Sequence, residues 1–594
     1  MRGIIPCLLI VTLLVGCSTQ KEKIPPLISE ETGSGKIAVY QVMTRLFGNK
    51  NNTNRPNGTR DENGVGKFND IDSRALKAIK GLGVSHIWYT GVIEHASLTD
   101  YPSQGITADD PDVVKGIAGS PYAIRDYYDV DPDLAVNVGG RMAEFEQLIR
   151  RTHEAGLKAI IDFVPNHVAR RYHSDKKPAG VLELGARDVD TLAFDVANNF
   201  YYLPGKSFVP PRHGSAELGM DARFDETPAK VTANNLFSPT PAITDWYDAV
   251  KLNYGVDYEN NRTTNFDPVP DTWLKMRDVL QFWASKNVDG FRCDMAEMVP
   301  VEFWRWVIPQ VKANHPDVIF IAEIYNPAQY SNYLKVGGFN YIYDKVQLYD
   351  TLKLLVGGQQ STRQIADIRA SQKDIHSNLL HFMENHDEPR IASRFIGGDP
   401  WKGVPAMVVS ATLDKGAVMI YFGQEVGEPA AGNEGYMGDD GRTTIYDYWG
   451  VPEHQKWMNR GSFTGDSLSA EQRQLLMFYT DLLTLATKNA AISSGEYADL
   501  TAHNQAVGNF GPKIHAFVRY NGEERLLILT SFSPEVLTVK VQIPKEVVDR
   551  MGMEPEGAYI ARDMLWRDAE VGFNADFTFE LKCKPYSSFI FKIK

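Results

Sequence analysis

Short apolar runs recur along the first two thirds of the chain, and stretches with a helical period separate them. Amphipathic stretches of this kind are RMAEFEQLIRRTHEAG (141–156) and DTWLKMRDVLQFWASKN (271–287). Buried strands that alternate with helices are typical of a parallel sheet. The pattern therefore predicts an α/β protein with a (β/α)8 barrel, and a doubly wound open sheet is the alternative. The predicted strands are IAVYQVM (37–43), VSHIWYT (84–90), LKAIIDFV (157–164), VDGFRCD (288–294), VIFIAEI (318–324), FNYIYD (339–344), NLLHFMEN (378–385) and AVMIYFG (417–423).

One connection between predicted strands is much longer than the others. About ninety residues, 168–261, lie between DFVPNH (162–167) and the approach to the helix that leads into the fourth strand, and they are rich in Pro, Gly, Asn and Asp. Loops of that length are normally functional or form small domains of their own. The sequence therefore predicts a barrel formed by 37–167 and 262–490, with an inserted domain, 168–261, over its C-terminal face.

The pattern changes after the amphipathic helix SAEQRQLLMFYTDLLTLATKN (469–489). From residue 491 onward, short runs with alternating apolar and polar positions dominate, and this alternation is typical of antiparallel strands. They include KIHAFVRY, RLLILTSF, LTVKVQI and SSFIFKI. We expect a separate antiparallel β-sandwich formed by 491–594.

The N-terminus has the composition of a targeting segment. Arg2 is followed by an apolar run too short to span a membrane, which ends on LVGC (14–17). This resembles a bacterial lipoprotein signal, 1–17, in which Cys17 receives the lipid; an ordinary secretory signal is the alternative. The polar segment 18–36 then reads as a flexible tether. A lipid would hold the protein at a membrane, and we expect the outer membrane, with the protein facing the periplasm or the cell surface.

Composition narrows the class of partner. The chain is 43% hydrophobic and 23% charged, which is ordinary for a globular protein. Its formal net charge of −13 argues against a nucleic-acid partner, which would require a basic surface. Cys293 and Cys583 lie far apart in different predicted domains, so a disulfide framework is not expected.

Acidic residues stand at the ends of several predicted strands. Asp294 ends the fourth strand, Glu323 the fifth and Asp387 the seventh. The C-terminal ends of barrel strands meet at one mouth, where the active sites of such barrels lie. Three carboxylates at one mouth would repel one another and weaken the fold, so packing alone does not explain them. The third strand ends with Asp162, Asn166 and His167.

Two carboxylates across a sugar ring are sufficient to hydrolyse a glycosidic bond. Asp294 suits the nucleophile, because Arg292 shares its strand face and can keep it ionised and oriented. Glu323 suits the general acid, because its strand neighbours are apolar and the negative Asp294 lies nearby. Asp387, beside His386, can bind sugar hydroxyls as an oxocarbenium-like transition state forms.

Four stretches, DFVPNH, GFRCDMAEM, FIAEIY and FMENHDEPR, resemble in order and spacing the four signature regions of the α-amylase superfamily of glycoside hydrolases. The resemblance implies that Asp294 is the nucleophile, Glu323 the acid/base and Asp387 the transition-state stabiliser. In SPYAIRDYYDV it implies a tyrosine that stacks on the sugar, although a plain loop aromatic is the alternative. The residues that it implies to contact the sugar or hold the acids are Arg292, His167, His386 and Tyr122.

The predicted insert carries a further resemblance. YDAVKLNYG (247–255) is similar to the fifth signature of neopullulanases and cyclomaltodextrinases, which implies substrate-binding roles for Lys251 and Asn253. The residues after Asp294 depart from that group, and also from typical α-amylases, because Glu297 replaces a lysine and Met298 a histidine. Specificity for α-1,4 bonds alone, or for α-1,4 and α-1,6 bonds, therefore stays open.

The expected chemistry requires no cofactor, since the two carboxylates perform it. A structural calcium ion is implied by the resemblance alone, since Asn166 matches a family calcium ligand between barrel and insert. GNKNN (48–52) and GKFND (66–70) are similar to a second calcium loop, but Lys67 stands where relatives supply an acidic ligand. Our hypothesis is that the Lys67 ammonium replaces that ion.

The sequence thus favours a retaining hydrolase of starch-like α-glucans. A transglycosylase is the alternative enzyme, because it would use the same covalent intermediate with a sugar acceptor in place of water. A surface glycan-binding protein that has lost catalysis is a third reading. Such a protein would be expected to have lost Asp294 or Glu323, and both are present.

Overall fold

The computed structural model describes residues 35–211, 218–436, 438–522, 524–554 and 557–594. The predicted lipoprotein signal with Cys17, and the tether up to residue 34, lie outside the described residues. Among the residues that the structure describes, no helix combines the length and the apolar character needed to cross a membrane.

Eight parallel strands close into a barrel, each hydrogen-bonded to the next and the last to the first. Every strand lies within one of the apolar runs, so the predicted barrel is confirmed and the open sheet is excluded. The runs are mainly apolar because barrel strands are covered on both faces. The strands are β1 (Ala38–Met43), β2 (His86–Thr90), β3 (Lys158–Phe163), β4 (Gly290–Cys293), β5 (Ile319–Ala322), β6 (Tyr341–Tyr343), β7 (Leu379–Phe382) and β8 (Ala417–Tyr421).

Helices alternate with the barrel strands; most bury one face, and Val404–Thr412 is buried on all sides. The helix before the C-terminal domain begins with a capping box, in which the Ser469 side chain accepts the Gln472 N–H and the Gln472 side chain accepts the Ser469 N–H. The longer helices are Ser73–Gly81, Arg141–Glu154, Asp271–Ser285, Val301–Asn314, Asp350–Val356, Arg363–Ser371, Val404–Thr412, Pro452–Met458 and Ala470–Lys488. The shorter ones are Thr44–Phe47, Arg60–Asn63, Tyr330–Asn332, Ala490–Ser493, Thr501–Ala506 and Lys545–Arg550.

Two excursions leave the C-terminal ends of the strands. After β2, a hairpin that the sequence pattern did not predict pairs Ile93–His95 with Ile124–Val130. After β3, the insert contains three short antiparallel pairs around a small aromatic core that includes Tyr201, Phe208 and Phe224. The pairs are His167–Ala169 with Ala249–Lys251, Tyr202–Leu203 with Ala229–Lys230, and Val256–Asp257 with Thr263–Thr264.

The C-terminal region is an antiparallel β-sandwich, as expected. A six-stranded sheet and a two-stranded sheet share one core, to which Val518 and Phe591 contribute from the first sheet and Val541 and Phe579 from the second. The larger sheet contains Glu496–Asp499, Ile514–Asn521, Glu524–Ser531, Ser588–Ile593, Ile560–Asp563 and Glu570–Gly572. The smaller sheet contains Leu537–Gln542 and Thr578–Cys583.

A buried arginine of the sandwich joins it to the barrel. The Arg519 guanidinium donates to the carbonyl oxygens of Leu413 (2.7 Å), Ile492 (2.6 Å) and Ala491 (3.1 Å). These carbonyls lie at or beyond the C-terminal part of two helices, where backbone oxygens lack helical partners and carry partial negative charge. Arg519 is only 1% exposed, so these hydrogen bonds form away from water.

We expect Arg519→Met to lower the free energy of unfolding by about 2–4 kcal/mol, because several buried carbonyl oxygens lose their donor at once. Urea denaturation followed by circular dichroism measures the change. The matched control is Lys540→Met on an exposed position of the same sandwich, which should change stability by about 0.5 kcal/mol or less. Equal effects of the two substitutions would contradict this role for Arg519.

Candidate active site

Two of the predicted acids follow neighbouring strands and lie at the same height along the barrel. Asp294 directly follows β4 and Glu323 directly follows β5. In the register of the two strands, Cys293 lies opposite Ala322, so the acids are one step beyond a paired position. The Glu323 N–H donates to the Cys293 carbonyl oxygen (3.1 Å), which extends the pairing to the acid itself. The backbones at this point are therefore separated by about 4.8 Å, the distance between neighbouring strands.

A single guanidinium joins these acids inside the barrel. Arg292 Nη1 lies 2.8 Å from Asp294 Oδ1, and Nη2 lies 2.6 Å from Glu323 Oε1. On the other side, Arg292 is opposite Asp162 of β3 in register, and Nη1 lies 3.5 Å from Asp162 Oδ1. Arg292 is fully buried. One cation thus serves three carboxylates, and this part of the mouth keeps a net negative charge.

The two oxygens of Asp294 differ in their surroundings. Oδ1 accepts from Arg292, whereas Oδ2 has no hydrogen-bond partner among the described residues. Burial raises the pKa of Asp294 well above the usual aspartate range, while Arg292 lowers it and the Glu323 charge raises it. The expected effect of Arg292 on the pKa of Asp294 is present, but the effect of burial is larger.

Donors hold both oxygens of Glu323. The Tyr325 hydroxyl donates to Oε1 (3.0 Å), and the Met295 N–H donates to Oε2 (2.9 Å). Met295 adopts a left-handed backbone conformation (φ 42°, ψ 43°), which is uncommon for a residue with a side chain and is retained where the surroundings enforce it. The turn directly after Asp294 therefore also orients Glu323.

Asp387 lies in the loop after β7, five residues beyond the end of the strand at Phe382. His386 Nε2 is 3.1 Å from Asp387 Oδ2, and the Tyr436 hydroxyl donates to Oδ1 (3.2 Å). Arg442 Nε donates to the Asp387 carbonyl oxygen (2.6 Å). Burial raises the pKa of Asp387, and the Arg292 charge opposes that effect. Tyr436 and Arg442 come from the loop after β8. They lie far from the end of that strand, so the search for polar residues at strand ends did not find them.

Tyr122 and His386 form one unit at the mouth. Their rings stack with centroids 5.3 Å apart at 28°, and the Tyr122 hydroxyl and His386 Nε2 form a hydrogen bond. Gln41 Nε2 is 2.8 Å from His386 Nδ1. Burial lowers the pKa of His386 well below that of an ordinary histidine, which favours the neutral ring.

A cavity of about 250 Å³ opens at this mouth. Of the predicted site residues, it is lined by Asp294, Glu323, Asp387, Tyr122 and His167. Residues that sequence reasoning missed form much of the remaining wall, and most come from the hairpin, the insert and the loop after β8. The main ones are Lys115, Trp246, Asp248, Tyr325 and Tyr446. Tyr325 is the exception, because its place two residues after Glu323 on the same strand path was a usable signal.

Lys251 and Asn253 do not line this cavity. Lys251 Nζ donates to Asn166 Oδ1 (2.6 Å), and the residue is 1% exposed. Asn253 Nδ2 donates to the Asp195 carbonyl oxygen (2.8 Å), and its Oδ1 accepts the Gly255 N–H (2.8 Å). The polar atoms of both side chains are used within the protein, so they fasten the insert and do not present a sugar-binding surface.

The surroundings of Asn166 do not fit a calcium ion. Its Oδ1 accepts from Lys251, and its Nδ2 donates to the Ala233 carbonyl oxygen (3.0 Å), so an ion would have to displace the lysine amine. Burial lowers the pKa of Lys251 to about 7. In the other loop, Lys67 Nζ donates to the Asp133 carbonyl oxygen. This contact agrees with our hypothesis that Lys67 replaces an ion, which stays a prediction.

Glu297, which departs from the family pattern, has a visible partner. Its two carboxylate oxygens accept the N–H groups of Tyr325 (3.2 Å) and Asn326 (3.1 Å). The two donors lie two and three residues after Glu323 along the chain. Glu297 therefore holds the segment that carries the Tyr325 hydroxyl against Glu323.

Comparisons with known proteins agree with this geometry. The family model described as the α-amylase catalytic domain matches residues 41–444. Alpha-amylase 3 of Dictyoglomus thermophilum is 23% identical over 488 residues, covering 79% of this chain and 80% of that protein. Neopullulanase 2 of Thermoactinomyces vulgaris is 22% identical over 529 residues, covering 86% of this chain and 72% of that protein.

A solved structure has the same fold. The α-amylase of Geobacillus thermoleovorans, complexed with acarbose, superposes with a TM-score of 0.59 at 19% identity, covering 95% of this chain and 99% of that one. The family match spans more than half of the chain and includes all four sequence stretches around the mouth of the barrel. This chain belongs to the α-amylase catalytic-domain family and is a glycoside hydrolase.

Proposed function

We propose that this protein hydrolyses α-glucans with retention of configuration, with Asp294 as nucleophile and Glu323 as acid/base. The observation that carries the assignment is the pair of carboxylates on adjacent strands, of which Asp294 keeps one oxygen, Oδ2, without a partner among the described residues. Retaining enzymes hold their two carboxyl groups about 5–5.5 Å apart, close to the spacing of neighbouring strands. The relatives named alpha-amylase and neopullulanase support an α-glucan substrate.

In the first step, Asp294 Oδ2 attacks the anomeric carbon while Glu323 gives its proton to the glycosidic oxygen. The carbon–oxygen bond to the leaving sugar breaks, and an ester to Asp294 forms. Arg292 holds the non-attacking oxygen, so the nucleophile is fixed without occupying Oδ2. The Met295 N–H and the Tyr325 hydroxyl keep the Glu323 carboxyl aimed at the leaving group.

In the second step, Glu323 removes a proton from water, the water oxygen bonds to the anomeric carbon, and the ester to Asp294 breaks. Two displacements on opposite faces restore the original configuration. Asp387, held by Tyr436 and His386, would strengthen its hydrogen bonds to the sugar hydroxyls as positive charge develops on the ring. A sugar hydroxyl in place of water would give transfer by the same route.

For the bond that is cut, we propose α-1,4 linkages as the main substrate and α-1,6 linkages as a second one. The neopullulanase relative and the Lys251–Asn253 stretch support the second activity. Since both of these side chains are engaged within the protein, their effect on specificity would act through the position of the insert wall, where Trp246 and Asp248 face the cavity.

The first test combines product analysis with two substitutions. With starch and pullulan as substrates, the wild type should release short maltooligosaccharides and panose, and NMR should detect the α-anomer first. Asp294→Asn and Glu323→Gln should each lower kcat by about 10³-fold or more, because each removes a group that reacts. The exposed Asp374→Asn is the control and should keep full activity. Undiminished turnover by Asp294→Asn, or a β-anomeric first product, would refute the mechanism.

The acid limb of the pH profile offers a second test. Activity falls when Asp294 becomes protonated; burial is the main cause that raises the pKa of Asp294, and the Asp162 charge adds to it. Asp162→Asn removes that charge and should move the acid limb of kcat/KM to lower pH by about one unit. The new amide oxygen can still accept the Trp88 indole N–H that Asp162 accepts at 3.0 Å. Rates on a maltooligosaccharide across the pH range measure the shift, and Asp374→Asn should leave the limb in place. A limb that stays put or moves to higher pH would contradict the assignment.

For localisation, we propose that Cys17 is lipidated and anchors the enzyme to the outer membrane. The pattern of the first 17 residues supports this, and the polar segment that follows would let the barrel reach bulky substrate. Cys17→Ser should move the protein from the detergent-extracted membrane fraction to the soluble fraction. A wild-type protein already found in the soluble fraction would mean an ordinary secretory signal.

A further inference from the structure

Three acidic side chains meet between the hairpin after β2 and the beginning of the insert. Glu94 comes from Ile93–His95, Asp129 from Ile124–Val130, and Asp175 from the first residues of the insert. One carboxylate oxygen from each lies within 4.8 Å of the others. None of the three lines the active-site cavity, and the cluster is separate from Asn166 and Lys67.

Glu94 is the unusual member of this cluster. It is 3% exposed, and its Oε2 has no hydrogen-bond partner among the described residues. Its other oxygen, Oε1, lies 3.9 Å from Arg125 Nε, which is too far for a hydrogen bond. The same guanidinium lies closer to Asp109, at 2.9 Å. A buried carboxyl oxygen without a donor is costly, so it calls for a missing partner.

The charges around the cluster do not supply that partner. Asp126 adds a fourth carboxylate, and its oxygens accept from Ser174 and from the Lys176 N–H. Asp129 Oδ2 pairs with Arg141, and its Oδ1 accepts the next backbone N–H (2.8 Å). The facing cations are Arg125, Arg141 and Lys176, and the first of these is shared with Asp109. Acidic charge therefore exceeds basic charge here.

We propose that Glu94, Asp129 and Asp175 bind a divalent cation of the calcium type. Calcium takes carboxylate oxygens in flexible arrangements and keeps water in its remaining positions, which suits three carboxylates on three different segments. Asp175 is exposed, so the ion has a route from solvent.

Such an ion would connect the barrel to the insert near the active-site wall. The strand Ile124–Val130 continues directly from Tyr122 and Ala123, which line the cavity. The Asp175 segment is the entry into the insert, and the neighbouring His173 N–H already donates to the Arg125 carbonyl oxygen (3.0 Å). Bound calcium would add a second link at this place and stabilise the folded state by mass action.

The test measures calcium binding and thermal unfolding of the purified full-length protein with excess calcium chloride and, separately, with EDTA. We expect calcium to raise the Tm of the wild type by about 2–5 °C. Glu94→Gln and Asp175→Asn should each lose most of that rise and weaken calcium binding at least about tenfold, because each removes a charged ligand. Asp190→Asn, an exposed acid elsewhere in the insert, should respond to calcium like the wild type.

The competing explanation is that Glu94 is simply protonated. Burial, helped by the charges of Asp126 and Asp129, raises the pKa of Glu94 to about 9. Glutamine imitates a protonated glutamate, so Glu94→Gln should fold and retain its Tm in EDTA under either explanation. A wild type whose Tm does not respond to calcium would overturn the proposal. So would a calcium response that survives in both Glu94→Gln and Asp175→Asn. Neither readout involves catalysis, so the outcome is independent of the proposed activity.

Discussion

The buried Arg292 guanidinium is the interaction on which the site depends. It reaches carboxylates that come from three neighbouring strands, Asp162 of β3, Asp294 after β4 and Glu323 after β5. An isolated charge at this depth would be very unfavourable, so the arginine and the acids require one another. With one cation for three acids, the mouth keeps an excess of negative charge, and burial raises the pKa of Asp294. The chemistry proposed here needs Asp294 charged while Glu323 carries a proton, and the Arg292 charge is the contact that favours the charged form of Asp294.

Strand register fixes the positions of Arg292 and of the acids around it. Side chains alternate across a strand, so a slip by one residue would turn Arg292 and Asp294 away from the interior together. The pairing of Cys293 with Ala322 fixes the relative height of Asp294 and Glu323. Loops then complete the positioning, with Met295 and Tyr325 on Glu323 and Tyr436 on Asp387. The barrel strands therefore fix the backbone positions of the acids, and the loops orient their carboxylate oxygens.

The sequence predicted the barrel because each strand is covered on both faces and is therefore mainly apolar. It predicted Asp294 and Glu323 because they follow such runs directly. It could not place Tyr436, Arg442 or Trp246, since long loops with no periodic pattern carry them and tertiary contacts decide their positions. For Lys251, the resemblance implied a sugar contact, but burial against Asn166 gives the side chain a different partner. Sequence alone does not reveal which polar residues are enclosed.

The contact between Lys251 and Asn166 does not depend on the ions in the surrounding solution. A dissociable ion at the junction of barrel and insert leaves when its concentration in the surroundings falls, whereas a side chain is tethered by its own backbone and cannot be washed away. The effective concentration of the Lys251 amine at the Asn166 oxygen is set by chain geometry alone. Dilution, chelators and competing metals therefore cannot remove the Lys251–Asn166 contact, because both partners belong to the same polypeptide.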